Sequence, residues 1–218
     1  MKKTKLNLFL FFILFGITLA PAQTFQWAKR IGTTTGTQSV RSSTTDAAGN
    51  IYLTGLFTGT VDFDPGAATF NLTAGSQDVF ICKLSAAGAF IWAKSFSGSS
   101  PDWPLDIAVD ATGNVYTVGL FQGTVDFDPG AAVSNITSFG GTDGFLSKLS
   151  SAGNLVWVRR FGSTGVDRCQ SVAIDALSNI YISGFHGATF DADPSPSVFN
   201  LGGSGSFLIK VSNAGNFI

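Results

Sequence analysis

Apolar and polar positions alternate along this chain in a pattern that is written three times. The stretch NIYLTGLFTGTVDFDPG at 50–66 returns as NVYTVGLFQGTVDFDPG at 114–130, and more loosely as NIYISGFHGATFDADPS at 179–195. The offset is 64 residues from Asp62 to Asp126 and 65 from Asp126 to Asp191. A fixed period of this size marks a repeat architecture, so the copies have to be read together. Each copy has two tight turns of one kind. The first runs from Asp46 to Asn50, Asp110 to Asn114 and Asp175 to Asn179, with Ser178 where the others have glycine. The second is Ser85 to Gly88, Ser150 to Gly153 and Ser212 to Gly215. An Asp or Ser that bonds the backbone two residues on, with glycine at positive φ, connects adjacent strands.

These turns divide a copy into four strands. In the second copy strand a covers 106–110, b 114–121, c 145–150 and d 155–161. In strand b, Val115, Thr117 and Gly119 point one way and Tyr116, Val118 and Leu120 the other, while Val79 to Cys82 is apolar on both faces. A sheet with one wet face would alternate cleanly, so these sheets are expected to be covered on both sides. Pro65, Gly66, Pro129 and Gly130 should end strand pairing in the b–c connection. Gly55, Gly119 and Gly184 recur in strand b and fit a bulge or a close backbone approach. Trp27, Trp92 and Trp157 recur in strand d and fit packing in the core or between blades.

The fold class that follows is all-β, built from four-stranded antiparallel blades stacked between identical neighbours, as in a propeller. Copy one covers 38–97, copy two 102–162 and copy three 167–218, the last incomplete; 25–32 reads as a strand d with no a, b or c before it. About three blades are fewer than the four to eight usual for a propeller, so a piece of a larger ring is expected. The alternative is three sheets closed as a prism around a threefold axis.

The first residues do not follow the repeat. Lys2, Lys3 and Lys5 precede a short apolar run to Leu19 and an Ala20-Pro21-Ala22 end, which reads as a secretory signal peptide over 1–22. Its removal takes three of the 13 Lys+Arg and none of the 14 Asp+Glu. The remaining acidic balance argues against nucleic acid, whose binding rests on clustered Lys and Arg. No later apolar run is long enough to span a bilayer. The product is expected outside the cell or at its surface.

The pattern G-N-[IV]-Y-x-x-G-x-F-x-G-T-V-D-F-D-P-G, followed by D-x-F-[IL]-x-K-L-S-x-A-G and W-[AV]-[KR]-x-F, resembles the β-propeller repeat known as the SBBP repeat. The resemblance covers 23–218 and implies a secreted, mostly bacterial, multi-repeat protein with a ring of about seven blades. It implies no activity. Copy three departs most: Ala192 replaces the phenylalanine and Ser195 the glycine, so its loop is expected to differ in shape.

Candidate chemistry centres on paired aspartates two residues apart: Asp62 and Asp64, Asp126 and Asp128, Asp191 and Asp193. In an extended segment both carboxylates share a face and Phe63 or Phe127 turns inward. Such a pair with loop carbonyls could hold Ca²⁺, but it lacks the third and fourth acidic ligands of an EF-hand loop. Capping of backbone N–H groups in the Pro-Gly turn is the favoured reading. Recurrence in every copy also argues against a glycosidase pair, which is assembled once. His186, the sole histidine, is read as an exposed loop residue with counterparts Thr58 and Gln122. Cys82 and Cys169 fall in strand c of copy one and strand a of copy three, so two free buried thiols are expected. Asn71 and Asn135 begin glycosylation sequons at one point of the repeat.

The expectation is therefore a non-enzymatic scaffold binding an unknown protein or glycan, with further blades of the same protein as partners and no cofactor beyond Ca²⁺. The rival is part of an extracellular polysaccharide-acting enzyme with its site in other blades. A single-copy acid or histidine aimed at the centre would favour the rival, and His186 is the residue nominated.

Overall fold

The computed structural model describes residues 26–32 and 36–218, so the signal peptide and its cleavage site lie outside the described residues. Copy one contributes β1 (Thr37–Thr45), β2 (Ile51–Asp62), β3 (Asn71–Leu84) and β4 (Phe90–Gly98). Copy two contributes β5 (Trp103–Val109), β6 (Val115–Phe121), β7 (Thr124–Asp126), β8 (Asn135–Thr137), β9 (Asp143–Leu149) and β10 (Leu155–Phe161). Copy three contributes β11 (Arg168–Ile174), β12 (Ile180–His186), β13 (Phe190–Asp191), β14 (Asn200–Leu201) and β15 (Gly205–Val211). Strands a, b, c and d of copy two are thus β5, β6, β9 and β10, hydrogen-bonded in that order. Copy one follows the same antiparallel meander, β1-β2-β3-β4. Copy three has β11-β12-β15, and its strand d is reduced to a bridge between Val211 and Phe217.

Between strands b and c each copy raises a small hairpin that ends in the Asp-x-Asp-Pro loop. In copy one it continues β2 and β3, pairing Asp62 with Asn71 beyond a bulge at Thr58 and Thr60. In copies two and three the same pairs stand apart as β7–β8 and β13–β14. Ser97 and Gly98 of β4 pair with Asp126 and Val125 of β7, so the outer strand of copy one also joins the hairpin of copy two.

The copies stack face to face. Tyr52, Ile81, Trp92 and Phe96 of copy one share a core with Val115, Phe121, Phe145 and Leu149 of copy two. The opposite face of copy two, with Tyr116, Val118 and Leu146, shares a second core with Ile180, Ile182, Phe207 and Ile209 of copy three. Every residue of β6 and of β9 is buried, as their two-sided apolar pattern requires. Copy two is sandwiched and the stack is open, so the closed prism is not the arrangement found. Residues 26–32 differ from the expected strand d in carrying no ladder. A strand d pairs with strand c of its own sheet, and among the described residues these have no such partner strand. They nonetheless lie where a preceding blade's outer strand would: Ile31 packs on the outer core of copy one and the Gly32 N–H donates to the Asp62 carbonyl at 2.9 Å.

Candidate functional site

Three recurring devices hold each copy and weld it to the next. The first is built on the aspartate of the a–b turn. Asp46 accepts from the Ala48 and Asn50 N–H groups, the Asn50 side chain and the Tyr52 hydroxyl. Asp110 does the same with Thr112, Asn114 and Tyr116, and Asp175 with Leu177, Asn179 and Tyr181. The Asn50 and Asn179 side chains hold Asp46 and Asp175 below the usual carboxylate range. Desolvation together with the charge of the bonded aspartate pushes the Tyr52 and Tyr116 hydroxyls well upward.

The second device is the tryptophan of strand d. A Cβ placed on Gly88, Gly153 or Gly215 would stand 3.1–3.2 Å from the ring of Trp27, Trp92 or Trp157 respectively. Each tryptophan therefore sits on the second turn of the following copy. The Trp92 Nε1–H donates to the Ser151 carbonyl and the Trp157 Nε1–H to that of Asn213, each at 3.1 Å. Of the two roles the spacing left open, core or inter-blade packing, the contacts show the second, and it extends to Trp27.

The third device is the glycine of strand b. A Cβ on Gly55, Gly119 or Gly184 would lie 2.1 Å from a strand-a carbonyl, that of Ser39, Trp103 or Arg168. Strand a bulges at that point in every copy. Both readings of the recurring glycine, the bulge and the close approach, hold together.

The paired aspartates are placed as the extended segment requires, with Phe63, Phe127 and Ala192 buried between them. Asp62 Oδ1 accepts from the N–H groups of Asp64 (3.0 Å) and Phe70 (2.8 Å), and Asp64 Oδ1 from that of Gly66 (2.7 Å). Asp126 and Asp128 repeat this with Asp128, Ser134 and Gly130. Asp191 and Asp193 repeat it with Asp193, Phe199 and Ser195. The third loop therefore keeps the shape of the others despite Ala192 and Ser195, because the contacts run to backbone N–H groups that any residue supplies. Among the described residues no group of three or more His, Cys, Asp and Glu side chains is disposed around a common point.

His186 is not an exposed loop residue. It ends β12, is 4 % exposed, stacks with Phe190 and Phe207 at 5.5 and 6.4 Å, and contacts the Ala188 carbonyl through Nδ1 at 2.9 Å. In the b–c register it pairs with Gly205 as Phe121 pairs with Asp143 and Phe57 with Asp78, so its counterparts are Phe57 and Phe121 rather than Thr58 and Gln122. A count from Asn179 gives that alignment. Cys82 and Cys169 are free and buried, and burial raises both thiols, Cys82 to about 12. Asn71 and Asn135 are exposed at the loop ends of their hairpins, opposite Asp62 and Asp126.

Two features escaped the sequence reading. Asp106, on the inner strand β5, is the single-copy acid: its counterparts are Ser42 and Ser171, and it binds both. Ser42 Oγ donates to Oδ1 at 2.9 Å, while Ser171 Oγ and the Val172 N–H donate to Oδ2 at 2.8 and 3.0 Å. It ties the three inner strands together, and a comparison of the copies at the a-strand bulge would have shown it. The other is a cavity of about 490 Å³ between the copy-two hairpin and the copy-three Asp loop, lined by Thr137, Phe139, Arg159, Arg160, Asp191 and Asp193 among others. The Arg160 guanidinium lies 3.2 Å from the centroid of Phe139, a ring that is 62 % exposed. Arg159 reaches the Gly215 carbonyl at 3.0 Å. The groove thus offers an exposed aromatic ring with both signs of charge, and no spacing rule predicts it because it arises only when two copies meet.

Comparison with known proteins agrees with the repeat. The chain is 28% identical over 203 residues to an uncharacterized WD repeat-containing protein of Acanthamoeba polyphaga mimivirus, covering 81% of this chain and 14% of that protein. It is 27% identical over 148 residues to the regulatory protein FlaEY of Caulobacter vibrioides, covering 67% of this chain and 15% of that one. The chain therefore spans about one-seventh of the length of these relatives. A protein of unknown function from Bacteroides caccae, known from its crystal structure, aligns over 83% of this chain and 80% of its own at 12% identity and a TM-score of 0.31. Residues 156–184, which run from strand d through strand a to the strand-b glycine, match the family model of the SBBP beta-propeller repeat.

Proposed function

We propose that the chain is an exported, non-catalytic propeller scaffold whose inter-copy loops bind a protein or glycan outside the cell. The observation that carries this reading is the employment of the recurring polar residues. Asp46, Asp62, Asp64 and their counterparts hold backbone N–H groups, and the tryptophans hold the next copy. Variable chemistry is left to the junctions, above all the groove with Phe139, Arg159 and Arg160. Aromatic rings beside arginines are the residues that dominate binding surfaces.

The partners include further repeats. Leu208 occupies the place of Ile81 and Leu146, pairing with Ser183 as they pair with Thr54 and Val118. Ile81 and Leu146 are 0 % exposed beneath the next copy, whereas Leu208 is 73 % exposed. Covering one such side chain contributes about 1.5–3 kcal/mol, so this face takes another blade or a second chain. Sedimentation of the chain should show association that Leu208→Asp abolishes; a monomer at all concentrations would contradict it.

Binding is tested by probing glycan and surface-protein arrays with the wild type and with Phe139→Ala/Arg159→Ala. Loss of a signal in the variant supports the groove; signals unchanged by it remove the groove from the proposal. The rival reading, a polysaccharide-acting enzyme, would draw on Asp106. Its oxygens are engaged by Ser42 and Ser171, which supports a bridging role. Hydrolysis of a polysaccharide by the wild type but not by Asp106→Asn would favour the rival.

A further inference from the structure

A second set of aspartates, distinct from the turn residues, is buried where consecutive copies meet. At the first junction these are Asp78 of β3 and Asp102 just before β5, 0 % and 1 % exposed; at the second they are Asp143 and Asp167, also 0 % and 1 % exposed. The positions correspond. The Asp102 N–H donates to the Gln77 carbonyl at 2.8 Å and the Asp167 N–H to that of Thr142 at 2.7 Å.

The second junction supplies its own compensation. Arg160 places Nε 3.7 Å from Asp143 Oδ2, and the Phe139 N–H donates to the same oxygen at 2.8 Å. Ser163 donates its N–H to Asp167 Oδ2 at 2.6 Å and reaches both oxygens with its hydroxyl, while the Gly187 N–H serves Oδ1 at 2.9 Å. Asp143 Oδ1 alone is left without a hydrogen bond there.

The first junction lacks these groups. Arg160 pairs with Phe145 as Ser95 pairs with Phe80, so a serine stands where the arginine does. Ser163 is replaced by Gly98, two residues beyond Phe96 as Ser163 is beyond Phe161. Asp78 Oδ2 accepts from the Gly75 N–H at 2.9 Å, with the Gly98 and Ser76 N–H groups also favouring its charged form, and Asp102 Oδ1 accepts from the Gln122 N–H at 3.2 Å. Asp78 Oδ1 and Asp102 Oδ2 have no partner. Gly98 packs directly against this acid: a Cβ there would lie 2.9 Å from Asp102 Oδ2 and from Val125 Cγ2, and 3.2 Å from the Thr124 carbonyl oxygen. Burial raises the Asp78 carboxyl, and it raises Asp102 to about 7, with the charge of Asp78 adding to the effect.

Two buried carboxylates, each with one oxygen unpartnered and no cation beside them, are costly unless a positive charge joins them. We propose that the Asp78–Asp102 pair, together with the oxygens around Gly98, is an inter-blade site for a calcium-class divalent cation, which does at the first junction what Arg160 does at the second. Hard oxygen donors from two copies suit that class. Because both copies contribute, the ion welds their interface and stabilises the folded chain by mass action.

The test uses the whole mature chain at pH 7.5 after chelator treatment, followed by thermal unfolding over a CaCl₂ titration. The melting temperature is expected to rise by several degrees, reversibly with EDTA. Asp102→Asn should lose that response, and the triple variant Asp64→Asn/Asp128→Asn/Asp193→Asn should keep it. Ser95→Arg should melt higher without calcium and no longer respond, which gives a reading even where Asp102→Asn folds poorly. No response of the wild type to calcium overturns the site, as does a response that persists in both Asp102→Asn and Ser95→Arg. A response abolished only by the triple variant would move the ion to the Asp-x-Asp loops. Stabilisation on acidification alone would assign the pair to a shared proton.

Discussion

A single hydroxymethyl group shows how closely the copies follow one backbone. Gly49 and Gly113 hold φ of 78° and 82° in the first turn, and Ser178 is forced to 64° in the third. A side chain in the left-handed region costs about 1–2 kcal/mol, which the surrounding bonds to Asp175 offset. Ser178→Gly should therefore raise unfolding stability by about 1 kcal/mol in denaturant titration, with tertiary structure unchanged; a loss of stability would show that the hydroxyl has a role of its own. The turn residues were legible because Asp, Asn and Gly carry their backbone preferences locally. His186 was misread because its burial depends on Phe190 and Phe207, which arrive from later strands. Asp78, Asp102 and Asp143 were passed over for the same reason, since a buried acid looks in sequence like any solvated one.

Strands were the most legible level. The copy-two strands expected at 106–110, 114–121, 145–150 and 155–161 are found at Trp103–Val109, Val115–Phe121, Asp143–Leu149 and Leu155–Phe161. Two-sided apolar patterning located them, and the same pattern implied covered faces. Junction chemistry was not legible, because it depends on which copy supplies the neighbour. Trp92, 9 % exposed on the turn of copy two, should cost about 3–5 kcal/mol when changed to Ala. Trp27, 37 % exposed, should cost less. Equal losses in urea titrations would deny that residues 26–32 are only a partial substitute for a blade. The junction acids also set a pH dependence. Burial raises Asp102 to about 7 and Asp143 to about 6, while in an unfolded chain both titrate near 3.9. The unfolded chain releases these protons first, so their contribution is complete below about pH 4 and is lost as pH climbs to 7. Asp46 and Asp175 act with the opposite sign, their contribution failing as pH drops below about 4. In the absence of divalent ions, melting temperature should peak between about pH 4 and 6 and fall toward pH 7.5. A flat profile from 5 to 7.5 would contradict the burial of these acids.

On the scale of the molecule, the described residues form a stack in which copy two alone is shielded on both faces by its kind. Copy one has residues 26–32 on its outer face, and copy three leaves Tyr181, Leu208 and Lys210 uncovered by a following repeat. The all-β class and the antiparallel order of strands were legible, since a repeat states its own solution more than once. Its ligand was not, because binding surfaces form where copies differ. The most direct measurement is amide hydrogen exchange, resolved by peptide, across β2–β3, β6–β9 and β12–β15. Protection should be strongest in copy two, intermediate in copy one and weakest in copy three. Protection of β12–β15 equal to that of β6–β9, in the Leu208→Asp chain that cannot associate, would mean that a neighbouring copy is not what shields each sheet.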